Sequence, residues 1–325
     1  MSDDVASVIM AVYDTAPFLR AAVNSVLGQD YPHIELIVVD DGSTDGSREI
    51  LRSYSDPRIR LLEQDHRGAC AAWNLGLACA SGRWTNVFDS DDIMPPNYIS
   101  ARVDALRRTG ADAVFSRGCV PFVANRPALA RAPIQLVACH SACDLLQECA
   151  SGRFFVAKPS FLAKHELYIQ SGGFDESLVV QDDVEFLPRF LGSMQRLAEI
   201  SGPPWFYRQR GVTMRAIVSR ERALGALRAQ RKTIDNLRKL THVEQRVAAQ
   251  RLFSTCVQCW PLWTEEHRAA MVEAERLRNG EPFDLSCVGG PKARAVAGTL
   301  GWRAGRLATH ASNYLKRCLL WRPIH

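Results

Sequence analysis

Apolar residues fall in short, dense blocks along the first hundred positions. Ser7–Tyr13 (SVIMAVY) and Glu35–Asp40 (ELIVVD) are rich in Val and Ile and are bounded by turn residues, the pattern of strands buried on both faces. Between them, Leu19, Ala22, Val23, Val26 and Leu27 recur at helical spacing just after Pro17, which predicts a helix over Phe18–Leu27. The alternation continues with a helix near Ser47–Tyr54, a strand near Ile59–Glu63 and a helix from Gly68 to Ala80. A strand at Trp84–Phe88, a helix near Asn97–Arg108 and a strand at Ala113–Phe115 follow. Alternation on this scale predicts an α/β fold, a mostly parallel central sheet flanked by helices.

The pattern weakens from Arg117 to Phe155, which reads as an irregular connection with one helix near Ala142–Ala150. Gly172-Gly-Phe-Asp-Glu176 then reads as a turn and Gln181–Arg189 as a helix start. Beyond about Arg215 the chain turns helical and basic, with no strand pattern. This divides the sequence into an α/β domain over 1–215 and a helical C-terminal region over 216–325, expected to supply partner, membrane-surface or oligomer contacts.

Composition changes this picture little. The 325 residues are 47% hydrophobic and 23% charged, ordinary values for a globular chain. No apolar run reaches the length that spans a bilayer, and the N-terminus lacks a basic segment followed by an apolar core, so a cytoplasmic protein is expected. The net charge of +5 is mild, and no nucleic-acid partner is expected. It is unevenly placed, however: from Leu285 onward there are seven Lys/Arg and no Asp or Glu. There Leu300, Leu307, Tyr314 and Trp321 recur every seven residues, with Arg303, Arg306 and Arg317 to one side. Such a stripe either lies peripherally on the inner face of an anionic membrane or packs on protein. The ten cysteines are scattered and read as packed thiols; Cys139/Cys143 and Cys256/Cys259 lack the paired spacing of a zinc site.

In doubly wound sheets ligands collect at the carboxyl ends of the strands. Tyr13 and Asp14 end the first strand, Asp40 and Asp41 the second, and Asp89-Ser-Asp-Asp92 the Trp84–Phe88 strand, so all converge on one rim. Clustered acids call for a cation or hydrogen-bond donors. Asp89 and Asp91, at i and i+2, can share one hard cation such as Mg²⁺ or Mn²⁺. A solvated helix-capping loop would carry the same triplet; its position on the rim with Asp41 favours the site.

Six stretches occur in the order expected of one family: Ser7–Asp14, Ser25–Gln29, Glu35–Ser47, Phe88–Asp92, Gly172–Glu176 and Asp182–Arg189. Together they resemble the motifs of family 2 glycosyltransferases, inverting enzymes with the GT-A fold, over roughly residues 5 to 215. The resemblance implies that Asp41 binds the nucleotide base, commonly uracil, with Tyr13 and Asp14 lining the same pocket. It implies that Asp91 coordinates the metal bridging the donor diphosphate, with Asp89 near the ribose and the metal. Asp183 matches the general base and Arg189 the arginine six residues on, while Asp182 replaces the usual Glu. Asn74 fits the family's asparagine, and His66 stands where Asn is common. Trp205–Arg210 and Thr213–Arg215 resemble a segment closing over the diphosphate, through Arg208, Arg210 or Arg215.

The expected function is transfer of a sugar from a nucleotide diphosphate sugar, UDP-linked by the family's habit, to a hydroxyl of a saccharide or lipid-linked saccharide, as in cell-surface polysaccharide synthesis. A metal-dependent nucleotidyl or phosphoryl transferase would use the same acids, but no Walker-type loop is present. A non-catalytic nucleotide-sugar binder would not need Asp183, and a Rossmann dehydrogenase would need a G-x-G-x-x-G after the first strand.

Overall fold

The computed structural model describes residues 4–123, 135–209 apart from 152, 155 and 203, and 219–306 apart from 261, 286–290, 301, 304 and 305. Strand β1 (Ala6–Val12), helix α1 (Ala16–Leu27) and strand β2 (Ile34–Asp40) form the first crossover unit. Helix α2 (Ser47–Arg52), strand β3 (Ile59–Glu63), helix α3 (Ala69–Cys79), strand β4 (Trp84–Asp89), helix α4 (Tyr98–Thr109) and strand β5 (Ala113–Phe115) continue it.

The stretch expected to be irregular holds two strands, β6 (Val120–Phe122) and β7 (Leu136–Ser141), before helix α5 (Ala142–Ala150). A short 3₁₀ turn at Lys158–Ser160 leads into β8 (Leu162–Lys164), α6 (His165–Gln170), α7 (Asp182–Gly192), β9 (Arg196–Ile200) and β10 (Phe206–Arg208).

The main sheet has the order β3-β2-β1-β4-β8-β5-β9-β7. Strands β3, β2, β1 and β4 are parallel; β8 runs antiparallel to both β4 and β5, and β7 is an antiparallel edge on β9. Strands β6 and β10 form a separate parallel pair.

The pleat sorts the buried residues onto two faces. Val8, Met10, Val12, Leu36 and Val38 pack with Leu19, Val23 and Val26 of α1 and Ile99 and Val103 of α4. Ile37 and Val39 point the other way, against Ala72 and Leu75 of α3. Both faces of β1 and β2 are thus buried, which is why their sequences are continuous apolar runs. Cutting one of these side chains to alanine removes about 2–5 kcal/mol.

The chain clusters into two compact units, residues 1–215 with 235–242, and residues 216–234 with 243–325. The described residues of the second unit are helical, drawn from α8 (Arg220–Leu240), α9 (Gln245–Cys259), α10 (Glu265–Leu277) and α11 (Pro291–Leu300). Leu252, Phe253, Cys256 and Val257 of α9 and Ala270 and Ala274 of α10 form its core. Cys256 and Cys259 are buried free thiols that burial pushes up to about 12, packed as apolar residues. Among the described residues no group of three or more His, Cys, Asp or Glu could hold a metal ion by itself. No described helix is long and apolar enough to cross a membrane. Arg210, Arg215 and most of the expected C-terminal stripe, including Leu307, Tyr314, Arg317 and Trp321, lie outside the described residues.

Candidate active site

The two acids that end β2 have separate partners. Asp40 is fully buried, accepts the Nε–H of Arg48 at 2.8 Å and caps the Ser43 amide at 3.2 Å, so it fixes the turn into α2. Asp41 is 2% exposed, and both of its oxygens accept from one loop. Oδ1 takes Gln64 Nε2 at 2.7 Å and the Arg67 amide at 2.8 Å; Oδ2 takes the Gly68 amide at 2.9 Å and lies 2.9 Å from His66 Nδ1. Asp41 therefore folds the segment from Gln64 to Gly68 over the strand end. Gly42 allows the close approach: its φ is 79°, and a Cβ there would stand 3.0 Å from the His66 amide nitrogen.

The same loop builds an aromatic platform. His66 stacks on Tyr13 with centroids 4.0 Å apart and planes at 20°, while Tyr13 stays 42% exposed. Asp14 adopts φ 48°, a left-handed conformation that Asp tolerates. Its Oδ1 accepts the Thr44 amide at 2.8 Å, and its own amide donates to Ser43 Oγ at 3.2 Å. The ends of β1 and β2 are thus tied together at the rim.

β4 ends on Asp89, and the chain then turns through Ser90, Asp91 and Asp92. Asp92 is buried beneath the turn, accepting the Trp205 indole N–H at 2.8 Å and the Arg208 amide at 2.9 Å. Burial, followed by the charges of Asp89 and Asp91, pushes its carboxyl up to about 8. Arg208, expected at the diphosphate, is itself buried. Its Nε donates to the Asp91 carbonyl at 2.8 Å, and its guanidinium lies over the rings of Phe122 (4.4 Å) and Phe18 (4.7 Å). Arg208 supports the acid turn from behind.

Asp183 stands in the first turn of α7, beside Asp182, where the helix dipole favours negative charge. The structure brings both to Asp89 through a residue that the sequence did not single out. Lys158 Nζ lies 3.2 Å from Asp89 Oδ1, 3.4 Å from Asp183 Oδ1 and 3.7 Å from Asp182 Oδ2, and 4.1 Å from the centre of the Trp73 ring. Burial works against its charge, but Asp183, Asp89 and Asp182 together hold the ammonium well above the usual lysine range.

Two further motif residues brace the turn before α7. Arg189 forks onto Glu185, with Nε to Oε1 at 2.7 Å and a terminal nitrogen to Oε2 at 2.6 Å, and also donates to the carbonyls of Ser171 and Gly173. Asn74 binds both backbone groups of Phe174 and reaches Glu176 at 3.0 Å.

Residues 7–128 match the family model described as glycosyl transferase family 2. Over that stretch the chain is similar to members of that family. It is 39% identical over 115 residues to glycosyltransferase GlyG of Streptococcus pneumoniae, a match covering 34% of this chain and 38% of that one. It is 35% identical over 116 residues to the Escherichia coli protein named UDP-Glc:alpha-D-GlcNAc-diphosphoundecaprenol beta-1,3-glucosyltransferase WfgD, covering 35% and 46%. The matched stretch thus spans less than half the length of either relative. Among solved structures, residues 1–349 of S. aureus TarS in complex with UDP-GlcNAc superpose with a TM-score of 0.61 at 16% identity, over 95% of this chain and 92% of that one. The mannosyltransferase PcManGT of Pyrobaculum calidifontis, in complex with GDP-Man and Mn²⁺, gives 0.54 at 22% identity, over 96% and 81%. These likenesses show the GT-A fold.

The sequence located the rim acids but not the residues that meet them. Lys158 carries no spacing signal in Lys158-Pro-Ser160, and Trp73 reads as an ordinary apolar helix residue. Only the fold brings them to the acids.

Proposed function

We propose that the protein is an inverting glycosyltransferase that moves a sugar from a nucleotide diphosphate sugar, with UDP as the nucleotide, to a hydroxyl of a saccharide or lipid-linked saccharide. The observation that carries this reading is the meeting of Asp89 and Asp183 around one ammonium, at 3.2 and 3.4 Å. An acid turn suited to a donor diphosphate and a carboxylate suited to proton transfer share one part of the rim. The relatives agree in kind: WfgD is named for a UDP-glucose donor and a diphosphoundecaprenol-linked acceptor, TarS was solved with UDP-GlcNAc, and PcManGT with GDP-Man and Mn²⁺.

Asp91 and Asp89 offer hard carboxylate oxygens two residues apart on a turn. That set fits Mg²⁺ or Mn²⁺, whose remaining positions water and phosphate oxygens complete. When bound, such a cation offsets the charge that grows on the departing nucleoside diphosphate. Asp183 accepts the proton of the acceptor hydroxyl while that oxygen attacks the anomeric carbon. The bond to the diphosphate breaks with its electron pair leaving on the phosphate oxygen, and one displacement inverts the centre. Tyr13 offers its exposed face to the base and Asp14 shapes the pocket floor. Asp41 takes the base imide N–H in exchange for its contact with His66. Arg208 acts indirectly, by holding the Asp91 carbonyl. A lipid-linked acceptor would bring the chain to a membrane surface, where the basic residues beyond Leu285 suit anionic headgroups.

The test incubates the purified chain and Mn²⁺ with UDP-glucose, UDP-N-acetylglucosamine or GDP-mannose and follows the phosphorus products. Release of an intact nucleoside diphosphate, with a sugar product of the opposite anomeric configuration by NMR, is expected. Release of pyrophosphate or inorganic phosphate, or retention of configuration, would overturn the reading.

A further inference from the structure

Lys158 is held more firmly than a surface lysine could be. Its side chain is 6% exposed, and the backbone that follows is bolted to β4 and α4 by buried polar groups. Asn86 Nδ2 donates to the carbonyls of Pro159 at 2.9 Å and Phe161 at 2.6 Å, and the Tyr98 hydroxyl donates to the Pro159 carbonyl as well. Arg102, fully buried against the Tyr98 ring, donates to the Ser160 carbonyl at 3.2 Å. Three polar side chains are therefore spent on fixing the root of one lysine.

The head of that lysine meets oxygens from two separate segments. Asp89 ends β4, whereas Asp182 and Asp183 open α7. Three carboxylates converging without a cation would repel one another and spread. A compact ammonium suits the gap, since it can be approached from several sides at once and still lie against the Trp73 face, whereas a planar guanidinium would not.

We propose that Lys158 is a positioning residue for transfer: its anchored ammonium sets the separation between Asp183 and the Asp89-Ser90-Asp91 turn, so that the acceptor oxygen and the anomeric carbon meet at bonding distance. The inference rests on the assignment of Asp183 as the base. It adds that the base is placed through a lysine rooted on β4 and α4, and not by α7 alone. Misplacement of reacting groups by about 1 Å costs on the order of a hundredfold in rate. The loss should fall on turnover, because Lys158 is buried behind the carboxylates and does not carry the donor.

The experiment compares wild type, Lys158→Met and Lys158→Arg as full-length chains. It measures kcat and KM for nucleoside diphosphate release from UDP-glucose, UDP-N-acetylglucosamine and GDP-mannose, with thermal melting to verify folding. Lys158→Met should lower kcat about a hundredfold with donor KM within about threefold of wild type. Lys158→Arg, which keeps the charge but widens the head, should fold and recover only part of the rate. A folded Lys158→Met with wild-type kcat, or a loss confined to donor KM, would overturn the proposal. Should Lys158→Met not fold, Lys158→Arg decides alone, and wild-type kcat there is the contrary result. A wild-type chain that turns over none of the three donors would instead count against the glycosyltransferase reading, and the inference would fall with it.

Discussion

Asn74 closes both backbone groups of Phe174 with one side chain: its Nδ2 donates to the Phe174 carbonyl at 2.9 Å and its Oδ1 accepts the Phe174 amide at 2.8 Å. A residue of α3 thereby fixes the turn that leads to Asp183. The fit depends on Gly173, whose φ is 64° and whose Cβ, were there one, would sit 2.6 Å from Asn74 Oδ1. Asn74→Ala should cost about 1–3 kcal/mol, the penalty for stranding two buried backbone groups. Gly173→Ala should also destabilise, by strain and by displacing the amide. Denaturant melts of both variants check this, and unchanged midpoints would contradict the bracing role.

Asp183→Asn keeps shape but removes the proton acceptor. General bases of this kind contribute roughly 10²–10⁴-fold to rate. The variant should lose turnover by that order while retaining donor affinity, seen by comparing initial rates with calorimetric binding of the nucleoside diphosphate. Loss of binding with turnover intact would assign Asp183 to the donor instead.

Glu199 on β9 gives a pH signature away from the site. Burial works against its charge, but hydrogen bonds from Arg117 at 2.8 Å and His140 at 2.8 Å hold its carboxyl below the usual range. Because the folded value is depressed, its contribution to stability is present above the unfolded value of about 4.3 and is lost as pH falls through the folded one. Arg117 is half-exposed and water screens its share, so Glu199→Gln should cost about 1 kcal/mol at pH 7. That difference should shrink in melts taken from about pH 5 downward. A penalty independent of pH would show that packing, not charge, is what the substitution removes.

The sequence was most legible where a strand is buried on both faces. β1 and β2 came within one residue of their bounds because their near-continuous apolar runs have no other use in such a chain. It was least legible where strands are short or marginal. β8 has three residues and no alternation to read, and β7 is an edge strand whose Leu136 and Val137 stay largely exposed. At the site, the convergence of Asp14, Asp41, Asp89 and Asp91 on one rim followed from strand ends alone. The partners of those acids did not. Asp41 is satisfied by amides more than twenty positions away, and Lys158 meets carboxylates from two distant segments; pairings of that kind exist only once the sheet is assembled.

Calorimetric titration of UDP into the wild type and Asp91→Asn, each with and without Mn²⁺, shows whether a donor site is built on the acid turn. UDP should bind the wild type only with Mn²⁺ present, and that binding should disappear in Asp91→Asn. Failure of UDP, GDP and dTDP alike to bind the folded wild type with Mn²⁺ present would contradict it.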